Sequence, residues 1–179
     1  MRKIDLARSG YLPTYDGCFV CGQSHPWGLR ARFIAFPTGE VQAPFRPEQT
    51  QAGYEGMVHG GVVSALFDEL LGWAVVLQTG RMCFTVELAV RFVKPMRLGT
   101  QYLATAGPGT DRGRYWESEG GLRDVDGVLH AKAHGKYFLL SEEQTAEVVE
   151  RMTYQPGDLP VFRGKQVTGC LAFQLHSEG

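Results

Sequence analysis

The residues best suited to chemistry lie in residues 57–77, MVHGGVVSALFDELLGWAVVL. His59, Gly60 and Gly61 open an apolar run, and Asp68 lies eight positions after Gly60. A helix that begins there presents free backbone N–H groups and the positive end of its dipole. Burying a carboxylate without a partner is costly, so Asp68 indicates a role beyond packing.

The surrounding segments predict the elements that position this motif. The apolar run predicts one long helix from near Gly60 to near Gln78, with Gly80 as its stop. Period-two alternation predicts strands in LRARFIAF and EVQAPFR before the helix, and in FTVELAVRFV after it. GTQYLATA, GRYWESEGGLRD and VLHAKAHGKYFLL predict three more strands, separated by Gly, Pro and Asp turns. Close hairpins imply antiparallel pairing, so the expected fold is α+β, with one antiparallel sheet wrapped around one helix.

The alternation also predicts which side chains share a strand face. In the first two strands the expected inner residues are Leu29, Ala31, Phe33 and Ala35, and then Val41, Ala43 and Phe45. In FTVELAVRFV we expect Phe84, Val86, Leu88, Val90 and Phe92 on one face and Thr85, Glu87 and Arg91 on the other. The last strand has a face of small residues, which predicts close packing by the helix. Its opposite face carries His130, Lys132, His134 and Lys136 and is expected to be wet or to lie at an interface.

The chain divides into three parts. Residues 1–27 form a lead-in, residues 28–140 a central body, and residues 141–179 a C-terminal extension. In the extension, SEEQTAEVVERM predicts a short helix, with Ser141 as N-cap and Gln144 at the capping-box position. The tail from Gln155 onward has no clear pattern, although FRGKQVTGCLAFQL is compatible with a further strand.

Composition excludes several classes of protein. With 44% hydrophobic and 21% charged residues, the chain is typical of a globular domain. A net charge of −1 gives no basic field, so nucleic acid is not the expected partner. No signal peptide is recognisable, and the apolar run at residues 62–77 is short for a membrane span and is interrupted by two acids. A cytoplasmic protein without membrane contact is therefore expected.

The cysteines do not predict a metal site. Cys18 and Cys21, with His25 nearby, are half of a zinc signature, and strong signatures pair two such turns. Cys83 and Cys170 lie far along the chain, so we expect no metal and a packed lead-in to the first strand. Cys83 is expected to be a core thiol. Ser64 lacks the G-x-S-x-G elbow of a serine hydrolase, and no nucleotide-binding loop is present.

Three stretches carry a resemblance to a known family. His59, Gly60, Gly61 and Asp68 form an H-G-G-x6-D pattern. CFVCGQSHPWGL is similar to a C-F-V-C-G-x-x-N-P-x-G-L opening, with His25 in place of the usual Asn, and VELAVRFVKPMRLGTQYLATA resembles a third and fourth strand. Together they resemble the hotdog-fold acyl-CoA thioesterases, most of all the phenylacetic-acid-pathway and 4-hydroxybenzoyl-CoA type. The resemblance extends from about Cys18 to Leu140.

The resemblance implies an assembly and a reaction. It implies a homodimer with two sheets joined edge to edge and active sites at the interface, and such dimers often pair into tetramers. It also implies hydrolysis of an acyl-CoA thioester without a metal or organic cofactor. Hotdog enoyl-CoA hydratases commonly have an acid followed five positions later by His, a spacing found nowhere in this chain. A non-catalytic acyl-CoA-binding module is a further alternative.

The motif residues then acquire expected roles. Donors at a helix start stabilise the negative oxygen of a thioester under attack, so the amides of Gly60 and Gly61, Gly60 above all, are expected to hold it. The alternative is that both glycines only permit a tight turn. Asp68 is expected to be the nucleophile or the general base, and the two mechanisms remain open. His59 is expected either to cap the helix or to position the thioester and assist the leaving thiolate.

Substrate binding needs further residues. For Glu69 we favour a structural or interface role, with substrate binding as the alternative. Trp73 and Phe67 are candidates to shape an acyl pocket, although apolar residues at helical spacing are usually core. Phosphates of coenzyme A need cationic partners. The candidates are Arg91, Lys94 and Arg97, with Arg112, Lys132 and Lys136 as further surface cations.

Overall fold

A computed structural model describes residues 3–162 and contains one antiparallel sheet, two α-helices and a short 3-10 helix at Gln49–Gln51. The elements are β1 (Gly10–Tyr11), β2 (Ile34–Ala35), β3 (Val41–Phe45), α1 (Gly60–Thr79), β4 (Cys83–Phe92), β5 (Tyr102–Ala106), β6 (Thr110–Asp111), β7 (Trp116–Asp124), β8 (Leu129–Leu139) and α2 (Glu142–Glu150). The strand order is β1-β2-β3-β5-β7-β8-β4, and β6 pairs with β7. The predicted order of strands and helix is confirmed. The two-residue strands β1 and β6 were not predicted.

Helix α1 lies against the sheet and supplies much of the core. It contacts β3, β4, β5, β7 and β8, and Leu66, Phe67, Leu70 and Leu71 are fully buried. His59 is the N-cap, and Gly80 ends the helix in the left-handed region at φ 65°. Glycine adopts that conformation without strain, so the predicted bounds are confirmed to within a residue.

Helix α1 extends beyond the apolar run at residues 62–77. It has 20 residues and, within the described chain, is the one helix long and apolar enough to span a membrane by length and composition. However, 56% of the most apolar 18-residue stretch of this helix is buried by the rest of the chain. Core helices have the same properties, so this helix is weak evidence for a span.

The first predicted strand is only partly a strand. Val41, Ala43 and Phe45 of β3 are buried as expected. In LRARFIAF the alternate residues Ala31, Phe33 and Ala35 are also buried, but pairing with neighbouring strands is confined to the two residues of β2. The backbone just before β2 forms hydrogen bonds with the lead-in instead. The N–H groups of residues 29 and 31 donate to the carbonyls of residues 19 and 20.

A β-bulge in β4 changes the predicted faces of that strand. The pairing with β8 shifts register between Thr85 and Glu87, so one extra residue lies in β4. An extra residue reverses the alternation, since successive side chains point to opposite faces. Phe84 and Val86 are therefore half-exposed, and Thr85 points inward. The predicted faces were wrong for Phe84, Thr85 and Val86. They hold for Leu88, Val90 and Phe92, and the Phe92 ring packs on Gly60 of α1 although the residue is 53% exposed.

The small face of β8 packs against α1 as predicted, and its own Tyr137 also covers part of it. Ala131, Ala133, Gly135 and Tyr137 are buried as predicted. The space above Gly135 is filled by the Tyr137 ring, because a Cβ at Gly135 would lie 2.5 Å from the Tyr137 hydroxyl. The phenol also reaches α1, where it donates to the Asp68 carbonyl at 3.3 Å.

One residue of the expected wet face of β8 is buried. The side chain of His130 lies under the β7–β8 turn, where Nε2 is 2.9 Å from Asp124 Oδ2 and Nδ1 is 3.0 Å from the Pro95 carbonyl. The hydrogen bond from His130, together with backbone N–H groups of Asp126 and Val128, holds the pKa of Asp124 below its usual range.

This pair predicts a pH-dependent stability. A carboxyl whose folded pKa is depressed stabilises the fold above its unfolded pKa of about 3.9 and loses that effect as the pH falls through the folded value. We expect Asp124→Asn to lower Tm at pH 7, with the difference from wild type shrinking only below about pH 4, as the pH falls through the folded pKa of Asp124. Asp126→Asn, in the same turn and exposed, is the control and should leave Tm unchanged. A Tm difference for Asp124→Asn that is constant from pH 7 to pH 3 would contradict this account.

The lead-in and α2 pack on the same core. Helix α2 has the predicted capping box, in which Ser141 Oγ accepts from the Gln144 N–H and the Gln144 side chain accepts from the Ser141 N–H. In the lead-in, Leu12 and Cys21 are buried. The predicted further strand in the tail, like Cys170, falls at residues 163–179 and so lies outside the described residues.

Candidate active site

The start of α1 leaves one backbone donor unused. His59 Nδ1 accepts from the Gly61 N–H at 2.9 Å, so the side chain caps the helix. That bond occupies the Gly61 amide, whereas the Gly60 N–H has no partner among residues 3–162. With Nδ1 accepting, a neutral His59 ring carries its proton on Nε2 and can donate it elsewhere. Of the two predicted oxyanion donors, Gly60 is the one available.

The Gly60 amide borders a surface pocket at the edge of the sheet. The Gly60 pocket, of about 330 Å³, is lined by Val58, Gly60, Val63, Phe92, Val93, Lys94, Pro95 and Met96. A Cβ on Gly60 would lie 3.2 Å from the end of the Phe92 ring. Of the three predicted phosphate-binding residues, Lys94 lines this pocket. The Gly60 pocket therefore combines an unpaired backbone N–H donor, from Gly60, with one cation, Lys94.

Asp68 has a partner that the sequence did not reveal. Thr85 Oγ1 of β4 donates to Asp68 Oδ1 at 2.6 Å. Thr85 points inward only because of the bulge in β4, and the simple alternation assigned it to the outer face. The hydroxyl fixes one carboxylate oxygen and leaves the other to accept a proton or attack a carbonyl carbon. The sequence signal, a Thr in a strand after the helix, was too common to be recognised.

Asp68 and Thr85 face a small, mostly apolar cavity of about 270 Å³, which we call the Asp68 cavity. Its other walls include Thr14, Tyr15, Cys18, Cys21, Glu69, Gly72, Trp73, Val76, Met82, Cys83, Tyr137, Val148 and Met152. Of the two predicted acyl-pocket residues, Trp73 lines this cavity, whereas Phe67 is a core residue outside this lining. Burial, and then the nearby charge of Asp68, raises the pKa of the Cys83 thiol to about 12.

Glu69 faces the same cavity and lies beside the two lead-in cysteines. The Cys18 thiol is 3.0 Å from Glu69 Oε2. Burial, followed by the proximity of Cys18, raises the pKa of Glu69 to about 8. The hydrogen bond between the two thiols lowers the pKa of Cys18 to about 5 and raises that of Cys21, so this group shares protons. The lead-in is packed as expected, but its contact with Glu69 was not foreseen.

One chain does not bring all predicted site residues together. Gly60 and Asp68 are eight residues apart on α1, which is about 12 Å along the helix axis. They line different pockets, and His59 lies with Gly60. A reacting carbonyl must lie within a few ångströms of both its oxyanion donor and its attacking group. The two groups therefore cannot serve one thioester from within one chain.

The predicted cations are spread over the surface. Arg91 and Lys132 line a shallow groove on the outer face of the sheet, away from both pockets, while Arg97 lies beside the loop that precedes His59. Two of the further candidates are already paired. Arg112 Nε lies 2.7 Å from Glu117, and Lys136 Nζ lies 2.9 Å from Glu87. Of the predicted cations, Lys94 is the one that lines the Gly60 pocket.

Known proteins resemble this chain in sequence. A model of the thioesterase superfamily matches residues 55–129, which include the His-Gly-Gly motif, Asp68 and Thr85. A candidate esterase of Saccharolobus solfataricus is 30% identical over 115 residues, a match that covers 60% of this chain and 75% of that protein.

Solved structures share the fold. A thioesterase superfamily protein designated RHA08564 is 26% identical with a TM-score of 0.56; the match covers 62% of this chain and 53% of that protein, so the chain spans about half of its length. A Streptococcus mutans protein bound to acetyl CoA is 21% identical with a TM-score of 0.56, over 61% and 87% of the two chains. The E. coli PaaI protein from the phenylacetic acid degradation operon is 18% identical with a TM-score of 0.57, over 63% and 81%. These structures confirm the hotdog fold. Because the matches in sequence also include the helix motif, this chain belongs to the thioesterase superfamily.

Proposed function

We propose that this protein hydrolyses an acyl-CoA thioester to the free acid and coenzyme A. The observation that carries the proposal is Asp68, a carboxylate held by Thr85 at 2.6 Å on the wall of a mostly apolar cavity. The helix that carries Asp68 also begins with an unpaired Gly60 N–H. These are an attacking group and an oxyanion donor, the two parts that acyl transfer requires.

The reaction needs no cofactor for its bonds to balance. The oxygen of water, or of Asp68 followed by water, bonds to the carbonyl carbon, and the carbon–sulfur bond breaks. As base, Asp68 takes the proton of the attacking water through the oxygen that Thr85 leaves free. The Gly60 N–H stabilises the negative oxygen, and His59 Nε2–H lies at the same helix start, where it can donate to the substrate.

The complete site forms between two copies of the chain. Strand β4 is ten residues long, ends the sheet, and exposes Phe84, Val86 and Phe92, each at least half accessible. A long apolar edge of this kind favours pairing with another strand. A two-fold axis at this edge reverses one chain relative to the other, so Gly60 faces Asp68 of the partner subunit. This arrangement overcomes the separation of about 12 Å within one chain.

The dimensions of the Asp68 cavity favour a compact acyl group. An apolar cavity of about 150 Å³ is enough to bind benzene, and the Asp68 cavity has about 270 Å³. Trp73, Val76 and Met152 supply apolar walls. Lys94, in the Gly60 pocket, is the cation best placed for a coenzyme A phosphate. The acetyl CoA bound to the similar S. mutans protein supports this ligand class.

The direct test is a thiol-release assay over a panel of aromatic, short-chain and medium-chain acyl-CoA esters. We expect turnover with at least one ester, with the best substrates among the aromatic and short acyl groups that fit the cavity. Crotonyl-CoA separates hydrolysis from hydration, because hydration removes the conjugated double bond without releasing thiol. Loss of that absorbance without free thiol would contradict the proposal, as would tight binding across the panel without any release.

A further inference from the structure

Three side chains near the Asp68 cavity form a ligand-like cluster that the proposed reaction does not use. The Sγ atoms of Cys18 and Cys21 and a carboxylate oxygen of Glu69 all lie within 4.8 Å of one another. The thiols come from the lead-in loop and the carboxylate from α1, so the cluster connects two separate parts of the chain. We call it the Cys18–Cys21–Glu69 cluster.

The loop around the two cysteines is built to hold negatively charged sulfur. The N–H groups of Val20 and Cys21 point to Cys18 Sγ at 3.2 and 3.4 Å, and the Tyr15 N–H points to Cys21 Sγ at 3.3 Å. Hydrogen bonds from backbone N–H groups stabilise thiolates, which are the form that binds metals. A Cβ on Gly22 would lie 2.4 and 2.5 Å from two carbonyl oxygens, so the tight turn admits only glycine there.

The cluster has no basic partner among residues 3–162. The Asp68 cavity is lined by two carboxyl groups, Asp68 and Glu69, and by three thiols, and no Lys, Arg or His is among its lining residues. Within residues 3–162, no ion pair reaches Glu69. A buried carboxylate beside sulfur is costly unless a proton or a metal ion balances it.

We propose that Cys18, Cys21 and Glu69 bind one zinc-class divalent cation. Two thiolates and a carboxylate are ligands that Zn²⁺ accepts in tetrahedral sites, and soft thiolates select against Mg²⁺ and Ca²⁺. Ligand atoms of one tetrahedral zinc lie roughly 3–4 Å apart, a spacing the cluster already approaches. Three protein ligands leave the fourth position open.

The proposed site differs from the expectation drawn from the sequence. A metal was not expected because Cys18 and Cys21 were only two ligands and the other cysteines lie far along the chain. Glu69 supplies a third ligand from 48 residues beyond Cys21, and only the packing of the lead-in against α1 brings it there. A bound ion would fasten that loop to the helix beside Asp68. The proposal concerns metal binding and does not depend on the proposed hydrolysis.

Cobalt titration of the full-length, reduced protein tests the site. We expect one Co²⁺ per chain and a thiolate-to-cobalt charge-transfer absorption in the near ultraviolet, with Zn²⁺ displacing the cobalt. Cys18→Ser should abolish stoichiometric binding, and Glu69→Gln should keep the thiolate absorption while weakening affinity by at least about 10-fold. Cys83→Ser is the matched control, because Cys83 lines the same cavity outside the cluster, and it should still bind one Co²⁺.

Several results would overturn the proposal. These are substoichiometric cobalt in the reduced wild type, bound cobalt without thiolate absorption, and equal affinity in wild type and Glu69→Gln. The proposal would also be refuted if the protein forms a Cys18–Cys21 disulfide and still binds no cobalt once that disulfide has been reduced. Circular dichroism of each variant shows whether it folds, and Glu69→Gln keeps both thiols if Cys18→Ser does not fold.

Discussion

Asp68→Asn is expected to lower kcat for acyl-CoA hydrolysis by at least about 100-fold, within the range usual for loss of a general base. Asparagine keeps the shape of the side chain and can still accept the hydrogen bond that Thr85 donates at 2.6 Å. It cannot take a proton from water or attack the carbonyl carbon. Because binding contacts persist, KM should change much less than kcat. Steady-state thiol release with the best ester of the panel measures both constants.

Three companion variants test the same assignment. Glu87→Gln makes the same chemical change on the outer side of β4, where the Glu87 side chain is 56% exposed, and should leave kcat unchanged. Thr85→Ala should lower kcat by roughly 10-fold, because the carboxylate loses its orienting donor, while Thr85→Ser keeps that donor. Undiminished hydrolysis by Asp68→Asn would refute the assigned role. The cobalt titration, run on the same variant, shows whether any loss of activity arises instead from the neighbouring cluster.

Gly60→Pro is expected to lower kcat by about 100-fold, the usual effect of removing one oxyanion donor. Gly60 is the first residue of α1, where proline is well tolerated because the N–H has no helical partner. His59, at φ −66° and ψ 132°, already has the extended conformation that a residue before proline prefers. The substitution therefore removes the free amide with little cost to the helix. Gly60→Ala is the control, because it adds the same Cβ near Phe92 and keeps the N–H.

Mixing the two defective proteins tests whether the site is shared between subunits. If Gly60 acts with Asp68 of the partner subunit, a heterodimer of Gly60→Pro and Asp68→Asn chains has one site with both defects and one intact site. Random reassociation should then restore about a quarter of wild-type activity. No recovery after verified subunit exchange would contradict the shared site.

The role of the Gly60 amide has its own check. Equal losses of kcat in Gly60→Pro and Gly60→Ala would show that the added Cβ, and not the missing N–H, is responsible.

Local rules explain what could be predicted. Helix α1 begins and ends where His59 and Gly80 predict, and the capping box of α2 forms from residues three positions apart. Caps and turns depend on neighbours in sequence, so residue types and short spacings are sufficient to identify them. The same holds for Asp68 and Gly60 as candidates, since their spacing on one helix follows from helix geometry.

What the sequence determined by itself is therefore the order of the elements, the helix that carries the motif, and the chemical types available on it. Tertiary structure alone decided two things. The bulge in β4 turned Thr85 toward Asp68, and the packing of the lead-in brought Cys18 to Glu69. They depend on contacts between residues 17 and 51 positions apart, respectively. Alternation and spacing along a chain do not specify such contacts, because one inserted residue reverses a strand face and packing alone selects which distant side chains meet.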